Sequence, residues 1–257
     1  MNNDFNQHVT GHEMSDWFKI GEKCKESLPV LHEIWNDLCT RCGFLPDDHV
    51  LSELRRLIRS SILLGQHAIY SSLCVARYSK TEASNTYEDY VQYYIYNFIG
   101  RVKSSSDILA LIVNHVYELG IVEVECALER GPIVGHLDSD GANRDLAALI
   151  NRARQQWLLP FYDMRNIVVH RSGLRFVVGN VGGASLINIE VGEMLRIQKE
   201  RKIIERFLEG IGIVVSKAFI VEPVILCENL WDQWRALAET IMLSIQEKIC
   251  DFIDTNM

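Results

Sequence analysis

The chain has 257 residues, of which 48% are hydrophobic and 23% charged, and its formal net charge is -8. This balance is typical of a soluble globular protein and argues against a disordered chain or a large, uniformly basic nucleic-acid surface. No apolar run is long enough to span a bilayer, and the first 17 residues have neither a basic start nor an apolar signal core. We therefore expect a cytoplasmic protein with no membrane partner.

The seven cysteines do not indicate a disulfide framework, because their number is odd and they are spread through apolar segments. Cys39 and Cys42 form a CxxC pair, which Cys24 or His49 could complete as a zinc set. A structural zinc site normally shows a second close pair, which the sequence lacks. We therefore expect no metal and no cofactor, and leave open whether Cys39 and Cys42 bind a metal.

Apolar residues recur at three- and four-residue spacing along most of the chain, which indicates helices. The third predicted helix is expected to break near Gly100 or Gly120, and the segment 130–143 is predicted to be a loop. No internal repeat or long linker demands two domains, so we predict one helical domain over 1–257. The predicted helices cover 13–42, 47–78, 86–129, 143–158, 160–171, 192–219 and 228–254.

The segment 174–191 departs from the helical pattern. Its sequence, "LRFVVGNVGGASLINIEV", has two β-branched runs around a centre rich in Gly, Asn and Ser. Such an arrangement predicts a β-hairpin. The fold class we predict is therefore an all-α helical bundle with a β-hairpin insertion near 174–191.

The basic charge is concentrated between residues 144 and 175, which contain six arginines and only two aspartates. The net charge of this window is +4, and that of the rest of the chain is -12. The window contains "WLLPFYDMRNIVVHRSG", residues 157–173. On a helix, Asn166 and His170 share a face, whereas Arg165 lies about 140° from His170. Two copies packed around a twofold axis would place Arg165 of one chain beside His170 of the other.

The stretch "RNIVVH", residues 165–170, resembles the R-x4-6-H motif of the HEPN superfamily. The resemblance implies an α-helical domain of a kind that is often a metal-independent ribonuclease in toxin–antitoxin or abortive-infection systems, with the motif near a dimer interface. The segment 90–120 also resembles the aromatic, then Ser/Asp-containing helix of larger stand-alone members. A second match to the motif, Arg130 to His136, begins in a predicted Gly/Pro loop and is not expected to form a site. The first 80 residues are predicted to form an N-terminal helical extension. Neither this extension nor the hairpin has a counterpart in the pattern of the superfamily.

The resemblance implies that Arg165, Asn166 and His170 are catalytic. RNA supplies a 2′-hydroxyl that can attack the adjacent phosphate when a base removes its proton. His170 would transfer protons, Arg165 would stabilise the crowded phosphate, and Asn166 would orient the phosphate or the imidazole. The residues expected to bind RNA are Tyr162, Arg171 and Arg175.

The expected partners are RNA, a second copy of the chain and a separately encoded antitoxin or regulator. The alternative is a non-catalytic helical module that binds a nucleotide or a protein. Under this alternative, His170 stabilises the end of its helix, and Arg165 and Asn166 bridge neighbouring elements.

Overall fold

The computed structural model describes residues 12–42, 50–79, 85–167, 175–181, 184–190, 198–214 and 220–256. Most of these residues are helical, so the fold is mainly α, as predicted. In chain order the α-helices are α1 (His12–Ser27), α2 (Pro29–Cys42), α3 (Val50–Ser79), α4 (Asn85–Val116), α5 (Pro132–Ser139), α6 (Arg144–Ala153), α7 (Leu159–Ile167), α8 (Gln198–Gly210) and α9 (Pro223–Asn256).

The predicted helix 13–42 is wrong in one respect, because α1 and α2 are separate helices divided at Leu28. Pro29 is the first residue of α2. Its nitrogen carries no proton for the carbonyl of Lys25, and its ring would clash with that turn of a continuous helix. The apolar spacing runs through the break, which is why periodicity alone predicts a single helix.

The predicted helix 86–129 breaks near Gly120, one of the two expected positions, because α4 ends at Val116. Gly100 lies inside α4 without interrupting it. Beyond the helix end, Glu118 has a φ of 49° and Gly120 a φ of 67°. These left-handed conformations cannot continue a right-handed helix. A short 3-10 helix follows at residues 123–125.

The predicted loop 130–143 contains α5 instead. The three glycines and the proline of this segment indicate a loop, but Pro132 suits the first turn of a helix, where its missing N–H costs nothing. Ile133 and Leu137, four residues apart, share one face and are buried. Their burial stabilises a helix that local propensity does not predict.

Residues 144–167 form one uninterrupted helical segment, in which α6 leads into a π-helical turn, Arg154–Leu158, and then into α7. The predicted helix boundary before Pro160 is therefore wrong. In the π turn, the backbone N–H of Leu159 donates to the carbonyl of Arg154, five residues earlier. This wider turn accommodates a proline within the helix.

Helix α8 packs closely against the π turn. In an α-helix the carbonyl of Gln156 would accept a hydrogen bond from residue 160, but Pro160 has no N–H to donate. A Cβ added to Gly210 would lie only 2.3 Å from the Gln156 carbonyl oxygen, so only glycine permits this approach. The chain leaves the helix immediately afterwards, with Gly212 at a φ of 81°. The predicted helix 192–219 is thus too long at its end.

Three strands form a small antiparallel sheet in the order β1-β2-β3. Strand β1 (Arg175–Val181) pairs with β2 (Ala184–Glu190) in a register that joins Arg175 to Glu190 and Val181 to Ala184. These two strands lie within the range predicted as a hairpin. The third strand, β3 (Ile220–Val221), pairs with β2 and was not predicted, since two residues are too short to show a period.

Helix α9 organises the core, because it contacts α2, α3, α4 and α6. One cluster of buried apolar side chains extends from Ile20 on α1 to Ile253 on α9. Helix α9 also caps α2, since the backbone N–H of Val30 donates to Glu239 Oε2 at 3.1 Å. Of the helices described, none is long and apolar enough to cross a membrane.

Candidate functional site

Helix α7, which contains the first three residues of the candidate motif, buries one side and leaves the other half-exposed. Its polar residues Tyr162, Arg165 and Asn166 are half-buried. The apolar side chains recur every three residues along α7, so they share one face of the helix. The polar side chains lie on a different face. The buried residues of α7 are Pro160, Phe161, Met164 and Ile167.

Tyr162 and Arg165 line a pocket of about 450 Å³ between α4, the segment 123–130 and α7. Its volume is in the range of about 300–1,000 Å³ that is usual for small-ligand sites. The other lining residues are Gly100, Lys103, Ser104, Asp107, Leu111, Glu123, Val124, Cys126, Ala127, Glu129 and Arg130.

Lys103 is the centre of a charged network in this pocket. Its Nζ lies 3.1 Å from Glu129 Oε1 and also donates to the carboxylate of Asp107. The same ammonium lies 5.3 Å from the ring centroid of Tyr162. The aromatic ring is therefore in a cation–π contact with Lys103, and the RNA contact predicted for Tyr162 stays a prediction.

The burial of this network perturbs the pKa of one of its carboxyls. Burial raises the pKa of Asp107 above its usual value, although the hydrogen bond and the charge of Lys103 act against this rise. Glu129 is only 5% exposed, and its backbone carbonyl accepts a hydrogen bond of 2.8 Å from Arg154 Nε. The π turn thus holds the wall of the pocket that carries Glu129.

The two adjacent residues of the motif interact directly. Arg165 Nη1 donates to Asn166 Oδ1 at 3.1 Å. A guanidinium group has five N–H donors, so this bond restrains the group while using only one of them. The contact joins Asn166 to the arginine of the motif, and the role predicted for Asn166 in orienting the phosphate or the imidazole stays a prediction.

Arg130 lies in the same pocket, although the sequence analysis excluded it from a site. It is exposed, and its Nη1 donates to the carbonyl of Val124. The histidine of that second motif match, His136, is exposed on α5. Arg130 therefore joins the candidate site through the fold.

Lys103, Asp107 and Glu129 also line the pocket, although the sequence did not predict them as site residues. The three- and four-residue spacing of Gly100, Lys103 and Asp107 places them on one face of α4, which was a usable signal. No local pattern indicates that Glu129 and Arg165 meet this face. Among the described lining residues, Lys103, Arg130 and Arg165 balance Asp107, Glu123 and Glu129, so the pocket carries no excess charge.

Four of the six predicted site residues are not among the residues that line the pocket. Asn166 contacts Arg165 but does not line the pocket. His170 and Arg171 lie outside the described residues. Arg175 is the first residue of β1, where its backbone pairs with that of Glu190. The pocket therefore contains the arginine of the motif, but the position of the histidine is not described.

The residues considered for zinc do not form a described metal site. Within the described ranges, no group of three or more His, Cys, Asp or Glu side chains could hold a metal ion. The thiol of Cys24 donates to the Ile62 carbonyl at 3.8 Å, and burial raises the pKa of this thiol to about 12. Such a pKa disfavours the thiolate that zinc binds. The side chain of Cys42 and all of His49 lie outside the described residues.

Comparison with known proteins gives no relative. No protein-family model, no curated protein and no solved structure matches the chain.

Proposed function

We propose that the protein is a metal-independent endoribonuclease of HEPN type that acts as a toxin or antiviral effector. One observation carries the proposal. Arg165 belongs to the "RNIVVH" stretch, and Ser104 and Asp107 belong to the segment 90–120; all three line one pocket. The two stretches that resemble the superfamily therefore meet at a single place in the fold.

The proposed reaction uses the 2′-hydroxyl of RNA as nucleophile. A base removes its proton, the 2′-oxygen bonds to phosphorus, and the bond from phosphorus to the 5′-oxygen breaks. The leaving 5′-oxygen takes up a proton, which gives a 2′,3′-cyclic phosphate and a 5′-hydroxyl. His170 is assigned to proton transfer, a contribution of roughly 10²–10⁴-fold. Arg165, restrained by Asn166, stabilises the negative charge on the phosphorane.

The proposed active site is shared between two chains. On a regular helix Arg165 and His170 lie about 140° apart, so one chain does not readily direct both side chains at one phosphate. A homodimer would supply Arg165 from one copy and His170 from the other. Mixing the inactive variants Arg165→Ala and His170→Ala should then restore part of the activity, whereas a site within one chain gives no restoration.

The direct test is cleavage of RNA by the purified protein in the presence of EDTA. Arg165→Ala and His170→Ala should abolish cleavage while circular dichroism stays unchanged. The matched controls are Arg152→Ala and His136→Ala, which remove exposed residues of the same types. Cleavage by the Arg165→Ala/His170→Ala double variant, or cleavage only without EDTA, would contradict the proposal. Growth arrest on induced expression, lost in His170→Ala, would support the toxin role.

A non-catalytic binding module is the second candidate, and one observation favours it. The charge of Lys103 is neutralised by Asp107 and Glu129, and the pocket as a whole has no excess of positive charge to stabilise a phosphorane. This candidate predicts that a nucleotide or a protein partner binds and that RNA remains intact. Binding that persists in His170→Ala, with no cleavage by the wild type, would establish it.

A further inference from the structure

A second cleft lies in the N-terminal part of the chain, between α1, α2 and α3. Its volume is about 350 Å³, at the lower end of the usual range for small-ligand sites. On α2 and α3 the lining residues follow helical spacing, so each helix presents one face to the cleft. They are Lys25 from α1; His32, Trp35 and Asn36 from α2; and Arg59, Ile62, Leu63 and Gln66 from α3.

The charge of this cleft is one-sided. Lys25 and Arg59 are cationic, and the lining contains no carboxylate. Within the described part of the chain, neither Lys25 nor Arg59 forms an ion pair. The pocket at Arg165 has equal numbers of cationic and anionic side chains, and the net charge of the whole chain is -8. A cleft whose charged lining residues are all cations is therefore a local exception. Such a cleft favours an anionic ligand.

The remaining lining supplies an aromatic surface and neutral hydrogen-bonding groups. Trp35 is half-buried, and the guanidinium carbon of Arg55 lies 5.7 Å from its ring centroid. His32 Nδ1 is 3.0 Å from the carbonyl oxygen of Leu28. Because a carbonyl only accepts, Nδ1 carries the proton, and Nε2 is the nitrogen that remains for a ligand. The carboxamide of Gln66 can donate or accept at the same cleft.

The neighbouring surface limits the size of the ligand. A depression that shares Lys25 and His32 with the cleft is also lined by three glutamates, Glu22, Glu26 and Glu33. An extended polyanion crossing from the cleft would meet these carboxylates, and like charges repel. A small anion on the Arg59 side of the cleft avoids them.

We propose that this cleft binds a nucleoside monophosphate, with the phosphate at Lys25 and Arg59 and the base against Trp35. Two cations match a phosphate, a half-buried indole offers a stacking surface for a base, and the volume suits one nucleotide. The site is separate from the pocket at Arg165, so it does not depend on RNA cleavage. It gives the N-terminal extension, which has no counterpart in the family pattern, a binding role.

Calorimetry on the full chain tests the proposal with adenosine 5′-monophosphate as the probe, and with adenosine and inorganic phosphate as separate arms. The monophosphate should bind at least about tenfold more tightly than either part, since base and phosphate have separate contacts. Lys25→Ala/Arg59→Ala should weaken this binding at least about tenfold. The matched control Lys23→Ala/Arg152→Ala removes the same charges at exposed positions outside the cleft and should change little. Trp35→Leu should weaken binding of the monophosphate but not that of inorganic phosphate.

The outcomes separate the ligand classes. A short single-stranded RNA, measured in the His170→Ala background to prevent cleavage, should not compete better than the monophosphate. Tighter RNA binding that Lys25→Ala/Arg59→Ala abolishes would overturn the proposal in favour of an RNA surface. No binding of the monophosphate at about 1 mM, or equal loss in the control variant, would also overturn it. Failure of RNA cleavage would affect only the function proposed for the pocket at Arg165.

Discussion

The ammonium group of Lys103 lies 3.1 Å from the carboxylate of Glu129, and both side chains are largely buried. Replacing Lys103 by Met should therefore leave a buried carboxylate without its cation, and lower the free energy of unfolding by about 3–5 kcal/mol. Denaturant titration at pH 7 measures this change. The double variant Lys103→Met/Glu129→Gln should recover most of the loss.

The control for this prediction is an exposed ion pair. Arg56 Nη2 and Glu53 Oε1 are 2.6 Å apart on the surface of α3, where solvent screens the charges. Arg56→Met should therefore change the stability by no more than about 1 kcal/mol. A Lys103→Met variant as stable as Arg56→Met would mean that water reaches and solvates Glu129.

Gly210 is predicted to tolerate no side chain. Because an added Cβ would come within 2.3 Å of the Gln156 carbonyl oxygen, Gly210→Ala must displace backbone and should destabilise the protein by about 1–3 kcal/mol. In contrast, Gly135 lies in α5 with open space around it, so Gly135→Ala should raise stability by about 0.5–1 kcal/mol. Thermal melting of both variants checks the pair, and a neutral Gly210→Ala would refute the close approach.

Glu239 should stabilise α2 from a distance, because its carboxylate accepts a hydrogen bond from the N–H of Val30 at the start of that helix. Removing a helix cap typically costs about 0.5–2 kcal/mol, so Glu239→Ala should lower stability by that amount. Glu247→Ala, at an exposed position of the same helix, should have little effect. Equal stabilities for the two variants would show that water replaces the cap without loss.

The same carboxyl predicts a pH dependence. Burial raises the pKa of Glu239 above its ordinary 4.5, against the opposing effect of the backbone N–H groups of Val30 and Leu31. The folded state therefore binds the carboxyl proton of Glu239 more tightly than the unfolded state does. The stability that protonation of Glu239 confers is lost as pH rises through the folded pKa. Glu239→Gln keeps the neutral form, so its stability relative to the wild type should rise with pH above about 4.5. Denaturant titrations across this range measure the trend, and a relative stability that falls with pH would contradict it.

Several elements could be predicted from the sequence because their signal is local. Apolar spacing indicated most of the helices, and the β-branched runs of 174–191 coincide with β1 and β2. The errors lie where tertiary contacts outweigh local propensity. Pro29 breaks a helix that the apolar pattern continues, while Ile133 and Leu137 stabilise α5 in a segment that glycine and proline make look irregular.

Part of the candidate site could be predicted because two of its residues are close together in the sequence. Arg165 and Tyr162 lie on one short helix, three residues apart. Glu129 and Arg130 reach the pocket only because the chain folds back after α4. No residue spacing in the sequence predicts this reversal of the chain. The contact between Lys103 and the ring of Tyr162 likewise depends on the fold, because the two residues lie on different helices.

The π turn sets the angular phase of α7 relative to α6. Each residue of an α-helix advances the chain by about 100° around the axis, and a π turn contains one residue more than the α-helical turn it replaces. If all five residues of 154–158 wound as a regular α-helix, with none deleted, everything after them would rotate by about 100°. Arg165 would then leave the pocket wall although its own neighbours were unchanged. The direction in which this arginine faces thus depends on how a segment upstream of it winds.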